Sequence, residues 1–98
     1  MSDEIWSDIY YETPVTSIIN QTLLAYDKKI VVSGLSKNFG LAGLRIGYIL
    51  CDKQEHYLNI FEKSAHATTA FGIATLSQIA GTAALTQAED WLIDFRSH

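Results

Sequence analysis

The connection between two apolar runs limits the fold of this chain more than any other feature. Ile30-Val31-Val32-Ser33-Gly34-Leu35 is β-branched and reads as a buried strand, and Arg45-Ile46-Gly47-Tyr48-Ile49-Leu50-Cys51, closed by Asp52, reads as the next. Only Ser36–Leu44 separates them, short of the dozen or more residues that a helical crossover takes. If paired, the two strands are therefore antiparallel. Upstream, Asp3–Tyr11 carries Ile5, Trp6, Ile9, Tyr10 and Tyr11 and suits an extended, partly buried segment at the end of a strand. Glu12-Thr13-Pro14 interrupts it. Thr16–Leu24 can form a short helix with Ile18, Ile19, Leu23 and Leu24 on its apolar side, and Tyr26-Asp27-Lys28-Lys29 is a polar turn. That span is long enough for a crossover, so the first two strands can run parallel with a right-handed connection. The expected class is α/β, a partial mixed sheet of one parallel pair plus an antiparallel strand, with helices C-terminal to it.

Three helical stretches follow. Tyr57, Leu58 and Phe61, flanked by Lys53, Glu55, Glu62 and Lys63, predict an amphipathic helix from about Lys53 to Ser64. Phe71–Leu85 carries Ile73, Leu76, Ile79, Ala80, Ala83 and Ala84 at near-helical spacing, apolar on most sides, with Gly72 and Gly81 allowing close approach of a neighbour. Gln87–His98 has Trp91, Leu92 and Phe95 at helical intervals and Glu89 and Asp90 where a helix N-terminus favours acids. From Ser64 to Ala88 there is no Asp, Glu, Lys or Arg, a length that spans a bilayer. The many Thr, Ser and Gln residues inside it argue for a helix packed on protein instead, and no membrane partner is expected.

At 98 residues the chain has room for one domain, numbered 1–98, with a modest core. Its formal net charge of -4 disfavours nucleic acid or an anionic membrane as primary partner, so any phosphate must be held locally. The lone Cys51 excludes an internal disulfide framework and a cysteine-built zinc site and fits a reducing cytoplasm. Met1-Ser2-Asp3-Glu4-Ile5-Trp6 places acids where a secretory leader needs a basic region. His56 and His66 lie on expected helices with no second ligand at metal spacing, so they read as structural and no metal is expected. Cys51 reads as a small buried hydrophobe, and Trp91 and Phe95 as core or interface contacts.

The strongest local signal is a glycine cluster. Gly34, Gly40, Gly43 and Gly47 surround Ser33, Ser36, Lys37, Asn38 and Arg45, so backbone amides and two cations can approach one anionic group. The pattern is not a Walker loop, because Lys37 precedes the glycines instead of following them. Ser33-Gly34-Leu35-Ser36-Lys37-Asn38-Phe39-Gly40-Leu41-Ala42-Gly43-Leu44-Arg45-Ile46-Gly47-Tyr48 resembles the cofactor-lysine signature of the class I and II pyridoxal-phosphate aminotransferases, fold type I. Asp3-Glu4-Ile5-Trp6 resembles the same family's strand-end motif, an acid followed three residues on by a tyrosine. The resemblance extends from Asp3 through the helices after Arg45.

The resemblance implies roles residue by residue. Lys37 matches the lysine that forms a Schiff base with pyridoxal 5'-phosphate and shuttles the substrate α-proton. Arg45 matches the arginine whose planar fork clamps the cofactor phosphate. Asp3 matches the carboxylate that keeps the pyridine nitrogen protonated. Asp3 and Ser36-Lys37 would then both lie at carboxyl ends of parallel strands, where open α/β sheets bind ligands. The implied partners are a small-molecule amino acid and a 2-oxo acid. Two departures stand out. The hydroxyl many members place three residues before the lysine is Gly34 here, leaving Ser36, or less readily Ser33, for the phosphate. The tyrosine expected three residues after Asp3 is Trp6, whose indole has one donor in a different place. A cystathionine β-lyase-like activity is therefore an alternative to transamination, and a non-catalytic remnant serving as an oligomeric or partner-binding module is another. Family members are several times longer, so the chain reads as a central slice of their large domain. It is expected to be inactive alone and to self-associate as a homo-oligomer through unpaired edges and the apolar Phe71–Leu85 helix.

Overall fold

In the computed structural model, residues 1–22, 28–65 and 72–98 are described. Three strands, β1 (Ser2–Asp3), β2 (Ile30–Gly34) and β3 (Gly47–Cys51), form one sheet in that order, followed by helices α1 (Gln54–Ala65), α2 (Thr75–Gln87) and α3 (Glu89–Ser97). β1 pairs with β2 in parallel, Ser2 opposite Val31 and Asp3 opposite Val32. β2 pairs with β3 antiparallel, from Ile30 opposite Cys51 to Gly34 opposite Gly47. The mixed sheet read from the short Ser36–Leu44 link is the one observed.

The differences lie at the ends of elements. The extended reading of Asp3–Tyr11 fails beyond Glu4. There Ser7 N donates to Glu4 O and Ile9 N to Trp6 O, both at 3.0 Å, so the chain turns twice directly after the strand. The short helix expected over 16–24 is a single 3-10 turn, Ile18–Asn20, opened by the Ser17 hydroxyl, which accepts from Ile19 N. Leu23, Leu24, Tyr26, Asp27, His66 and Phe71 lie outside the described residues. β3 starts at Gly47, not Arg45, because Arg45 is left-handed at φ 54° and cannot continue a strand. α2 begins at Thr75, after a left-handed Gly72 at φ 97°. Among the described residues nothing stands within 4 Å of a Cβ at Gly72, and its positive φ gives it a conformational role there instead of the close approach expected of it.

Gly81 does serve close approach. A Cβ there would meet Ile46 Cδ1 at 3.0 Å and Leu35 Cδ1 at 3.3 Å. α2 accordingly buries its small residues, Ser77, Gly81 and Ala84, and exposes Leu76, Ile79 and Leu85. The helix is thus seated through its small residues, with its large apolar side chains left outward. The buried hydrophobic set is small: Val31, Leu35, Ala84 and Leu92. α1 lies along β3, and α3 packs on α2, with Trp91 stacked on Phe95 at 5.2 Å and tilted to Phe39 at 6.0 Å. Trp91 and Phe95 stay nearly half exposed, and Cys51 is half-buried. No helix among the described residues is long and apolar enough to cross a membrane.

Candidate functional site

The site is built at one end of the sheet by the link that closes β2 onto β3. Beyond the last paired residues, Leu35 N donates to Ile46 O at 3.3 Å, and Leu41 N returns to Leu35 O at 3.0 Å. These two bonds tie off a loop, residues 35–41, that carries Ser36 and Lys37. Gly34 is required at its root, since a Cβ would sit 2.8 Å from Ile46 O and 3.3 Å from Gly47 Cα. Gly40 supplies the positive φ, 66°, that turns the loop back. A 3-10 turn, Ala42–Leu44, then leads into Arg45, whose N–H bonds Ala42 O. Ser36 and Arg45 thus flank the same Leu35–Ile46 rung, on the two sides of the link. Arg45 is exposed, and its left-handed backbone is the one such non-glycine among the described residues. Such a conformation persists where surrounding bonds over-determine it and is enriched at ligand sites.

β1 brings the second motif to the same sheet end. Glu4 N donates to Val32 O at 2.9 Å, extending the parallel pair by one bond past Asp3. The Ser33 hydroxyl donates to Glu4 O at 3.2 Å and is buried. The Ser33 hydroxyl proton is therefore committed to holding β1 to β2. Asp3 is exposed, and its Oδ1 accepts Ile5 N–H at 3.1 Å. The turn after Glu4 then places the Trp6 ring beneath Lys37, with Nζ 5.3 Å from the ring centre, within cation–π range.

Lys37 and Trp6, both placed at the site by the one family resemblance, are thus in contact. Lys37 is exposed, and among the described residues neither it nor Arg45 makes an ion pair. Asn38, named within the glycine cluster but given no role there, and Asp8, not singled out in the sequence, complete the arrangement. Asn38 is 1% exposed, and its Nδ2 donates to Asp8 Oδ2 at 2.7 Å while its Oδ1 accepts Phe39 N–H at 3.1 Å. The partners are far apart in sequence, so no local pattern announced the pair. The one available signal was an Asn beside the lysine, a residue type that bonds backbone groups at turns.

The other polar cluster lies at the opposite end of β3. His56, only 7% exposed, has Nδ1 3.1 Å from Asp52 Oδ1. Its Nε2 is 3.3 Å from Glu55 Oε1, but without hydrogen-bond geometry, and is buried with no hydrogen-bond partner among the described residues. Burial pushes the Asp52 carboxyl up. The His56 hydrogen bond, backbone N–H groups of Lys29 and Asp52 itself and the attraction of His56 outweigh this and hold it below its ordinary value of 3.8. Among the described residues, no group of three or more His, Cys, Asp or Glu side chains is placed to hold a metal ion.

Comparison with known proteins settles the family. The family model described as aminotransferase class I and II matches residues 1–96. The chain belongs to this aminotransferase family. It is similar to a probable N-acetyl-LL-diaminopimelate aminotransferase of Bacillus subtilis (strain 168), 34% identical over 92 residues, covering 92% of this chain and 21% of the relative. It is also similar to a histidinol-phosphate aminotransferase of Brevibacillus brevis, 33% identical over 88 residues, covering 87% of this chain and 23% of the relative. A bifunctional aspartate aminotransferase and glutamate/aspartate-prephenate aminotransferase of Petunia hybrida is 33% identical over 85 residues, 87% of this chain and 17% of the relative. The chain thus spans about a fifth of the length of the curated relatives it matches. The aminotransferase match covers both motifs, the strand end at Asp3 and the lysine link.

Proposed function

We propose that this chain carries the lysine-bearing part of a pyridoxal-phosphate site that transfers an amino group between an amino acid and a 2-oxo acid. The observation that carries the reading is the Lys37–Trp6 contact at the sheet end where Ser36 and Arg45 flank the Leu35–Ile46 rung. The donor set fits the group: a primary amine, a hydroxyl and a guanidinium, with no acid paired to either cation among the described residues. Bound pyridoxal phosphate supplies an aldehyde that reacts reversibly with amines and a ring that takes up electron pairs from an α-carbon. Lys37 presents the amine and, once released, holds and returns a proton at Nζ. Arg45 offers its fork of N–H donors to the phosphate, and the Ser36 hydroxyl donates to the same group. Asp3 keeps one carboxylate oxygen for a protonated ring nitrogen, the other being held by Ile5 N–H. Trp6 contributes a flat apolar surface and one indole donor in place of a phenol. Residues 1–98 form one partial domain in this reading, and the amino-acid and 2-oxo-acid partners belong to the longer protein that such a slice completes.

The test is reductive trapping. The chain is mixed with limiting pyridoxal phosphate and reduced with borohydride, and the label is located by mass spectrometry. A label concentrated on Lys37 is expected, and its loss in Lys37→Ala. Absence from Lys37, or equal labelling of Lys28 and Lys63, would overturn the proposal.

A further inference from the structure

Lys37 is an exposed side chain on a loop, held by no ion pair among the described residues. Its position over Trp6 needs another cause. Burying an uncharged amide is unfavourable unless each of its polar atoms is bonded, and Asn38, next to Lys37, is among the most deeply buried residues described. Both ends of its amide are satisfied. Oδ1 takes Phe39 N–H, which fixes the side chain to its own loop, and Nδ2 donates to Asp8 Oδ2 at 2.7 Å. Asp8 belongs to the turn after β1, whose geometry is set by Ile9 N donating to Trp6 O. A closed circuit results: from Lys37 along the chain to Asn38, across to Asp8, back through the turn to Trp6, and from the Trp6 ring to Lys37 Nζ at 5.3 Å.

We propose that Asp8 and Asn38 form a positioning pair that sets the Lys37 amine against Trp6, an assignment that rests on the lysine site proposed above. The carboxylate makes the bond charge-assisted, so it is stronger than an amide–amide contact. It joins two segments 30 residues apart, the turn that carries Trp6 and the loop that carries Lys37. Neither residue touches the reacting groups. Their effect is to reduce the number of places Nζ can occupy relative to the Asp3 end of β1, which is how positioning lowers a barrier.

The experiment measures reductive labelling of Lys37 relative to Lys28 and Lys63 at limiting pyridoxal phosphate, alongside far-ultraviolet circular dichroism. Asn38→Ala and Asp8→Ala are each expected to lower that ratio about tenfold, the size associated with one charge-assisted hydrogen bond. The double swap Asp8→Asn with Asn38→Asp keeps one amide and one carboxylate in the pair and retains an oxygen for Phe39 N–H. It is expected to restore the ratio to within about threefold of wild type with the far-ultraviolet spectrum unchanged throughout, so that the ratio and not the fold reports the pair. Single variants that keep the wild-type spectrum and the wild-type ratio would overturn the assignment, as would a folded double swap that stays unselective. Should the alanine and swap variants unfold, Asp8→Asn decides: it preserves shape and an acceptor oxygen, and an unchanged ratio in it counts against the pair. A wild-type chain with no preference for Lys37 would instead overturn the site itself, and the pair with it.

Discussion

Gly34 stands where many aminotransferases carry a hydroxyl, so installing Gly34→Ser asks whether that hydroxyl can simply be added. The geometry says it cannot. The new Cβ would lie 2.8 Å from Ile46 O, 3.2 Å from Ile5 Cδ1 and 3.3 Å from Gly47 Cα, where ordinary contact begins at 3.4 Å. Two of the three neighbours are backbone and cannot swing aside. The β2–β3 ladder must open, and the Leu35–Ile46 bond, already 3.3 Å, would pass out of hydrogen-bond range. Overpacking costs about 1–3 kcal/mol and a lost hydrogen bond about 0.5–1.5 kcal/mol, so a loss of about 2–4 kcal/mol is expected. Against a total of about 5–15 kcal/mol for a native domain, that is a large fraction. The assay is urea unfolding followed by tryptophan fluorescence, with a thermal midpoint expected to fall by at least about 8 °C. Gly43→Ala is the control: among the described residues nothing lies within 4 Å of its Cβ, and a change within about 0.5 kcal/mol is expected. A Gly34→Ser chain as stable as wild type, or one that traps cofactor better, would refute the close-approach argument.

Three other outcomes follow from the same geometry. Arg45→Gly removes a left-handed non-glycine residue at φ 54°; relief of about 1–2 kcal/mol of left-handed strain, opposed by about 0.5–1 kcal/mol of added chain entropy, is expected to stabilise by no more than about 1 kcal/mol. In the same variant the preference of Lys37 for pyridoxal phosphate over pyridoxal should fall about tenfold, and an unchanged preference would remove Arg45 from the phosphate site. Asp52 has a carboxyl held below 3.8 in the folded state, so its stabilising contribution is present above that value and lost as pH falls through the lower folded value. Acid unfolding of Asp52→Asn should lack that component, and identical acid profiles would contradict the Asp52–His56 assignment. Leu76 on α2 is 77% exposed beside exposed Ile79 and Leu85, so the isolated chain is expected to self-associate with rising concentration. Leu76→Glu should weaken association in sedimentation without shifting the unfolding midpoint at dilutions where the wild type is monomeric, whereas a monomeric wild type at all concentrations would count against this.

The sheet was legible because its constraints are short-range. A link of the length of Ser36–Leu44 admits only an antiparallel neighbour, and β-branched Ile30-Val31-Val32 offers few alternatives to a strand. The ends of elements were less legible, because they depend on backbone conformation that residue type only biases. Arg45 in a left-handed conformation gives no sign of itself in composition, and it shortens the expected strand by two residues. Which face of α2 turns inward was not legible in a stretch apolar on most sides, for a different reason. Apolar side chains mark what a helix could bury, but Gly81, Ser77 and Ala84 decide how near it can come to Leu35 and Ile46. Of the candidate site, Lys37 and Trp6 were both named and are in contact, while Asp8 and Asn38 required the fold to bring them together.

That division bears on what the chain can specify alone. The bonds that place the lysine loop, Leu35 to Ile46, Leu41 to Leu35 and Asn38 to Asp8, all begin and end within the described residues. The groups at the loop's root are also buried: Leu35 is 0% exposed and Asn38 1%. The outer faces of α1 and α2 have no comparable closure, with Tyr57, Phe61, Leu76 and Ile79 all exposed. Local stability follows buried contacts and enclosed hydrogen bonds, so the amides of Leu35 and Leu41 should exchange more slowly than those on the exposed turns of α1. Faster exchange at Leu41 than in α1 would mean that the loop is not held by its own bonds. The Lys37–Trp6 geometry would then depend on whatever covers the sheet.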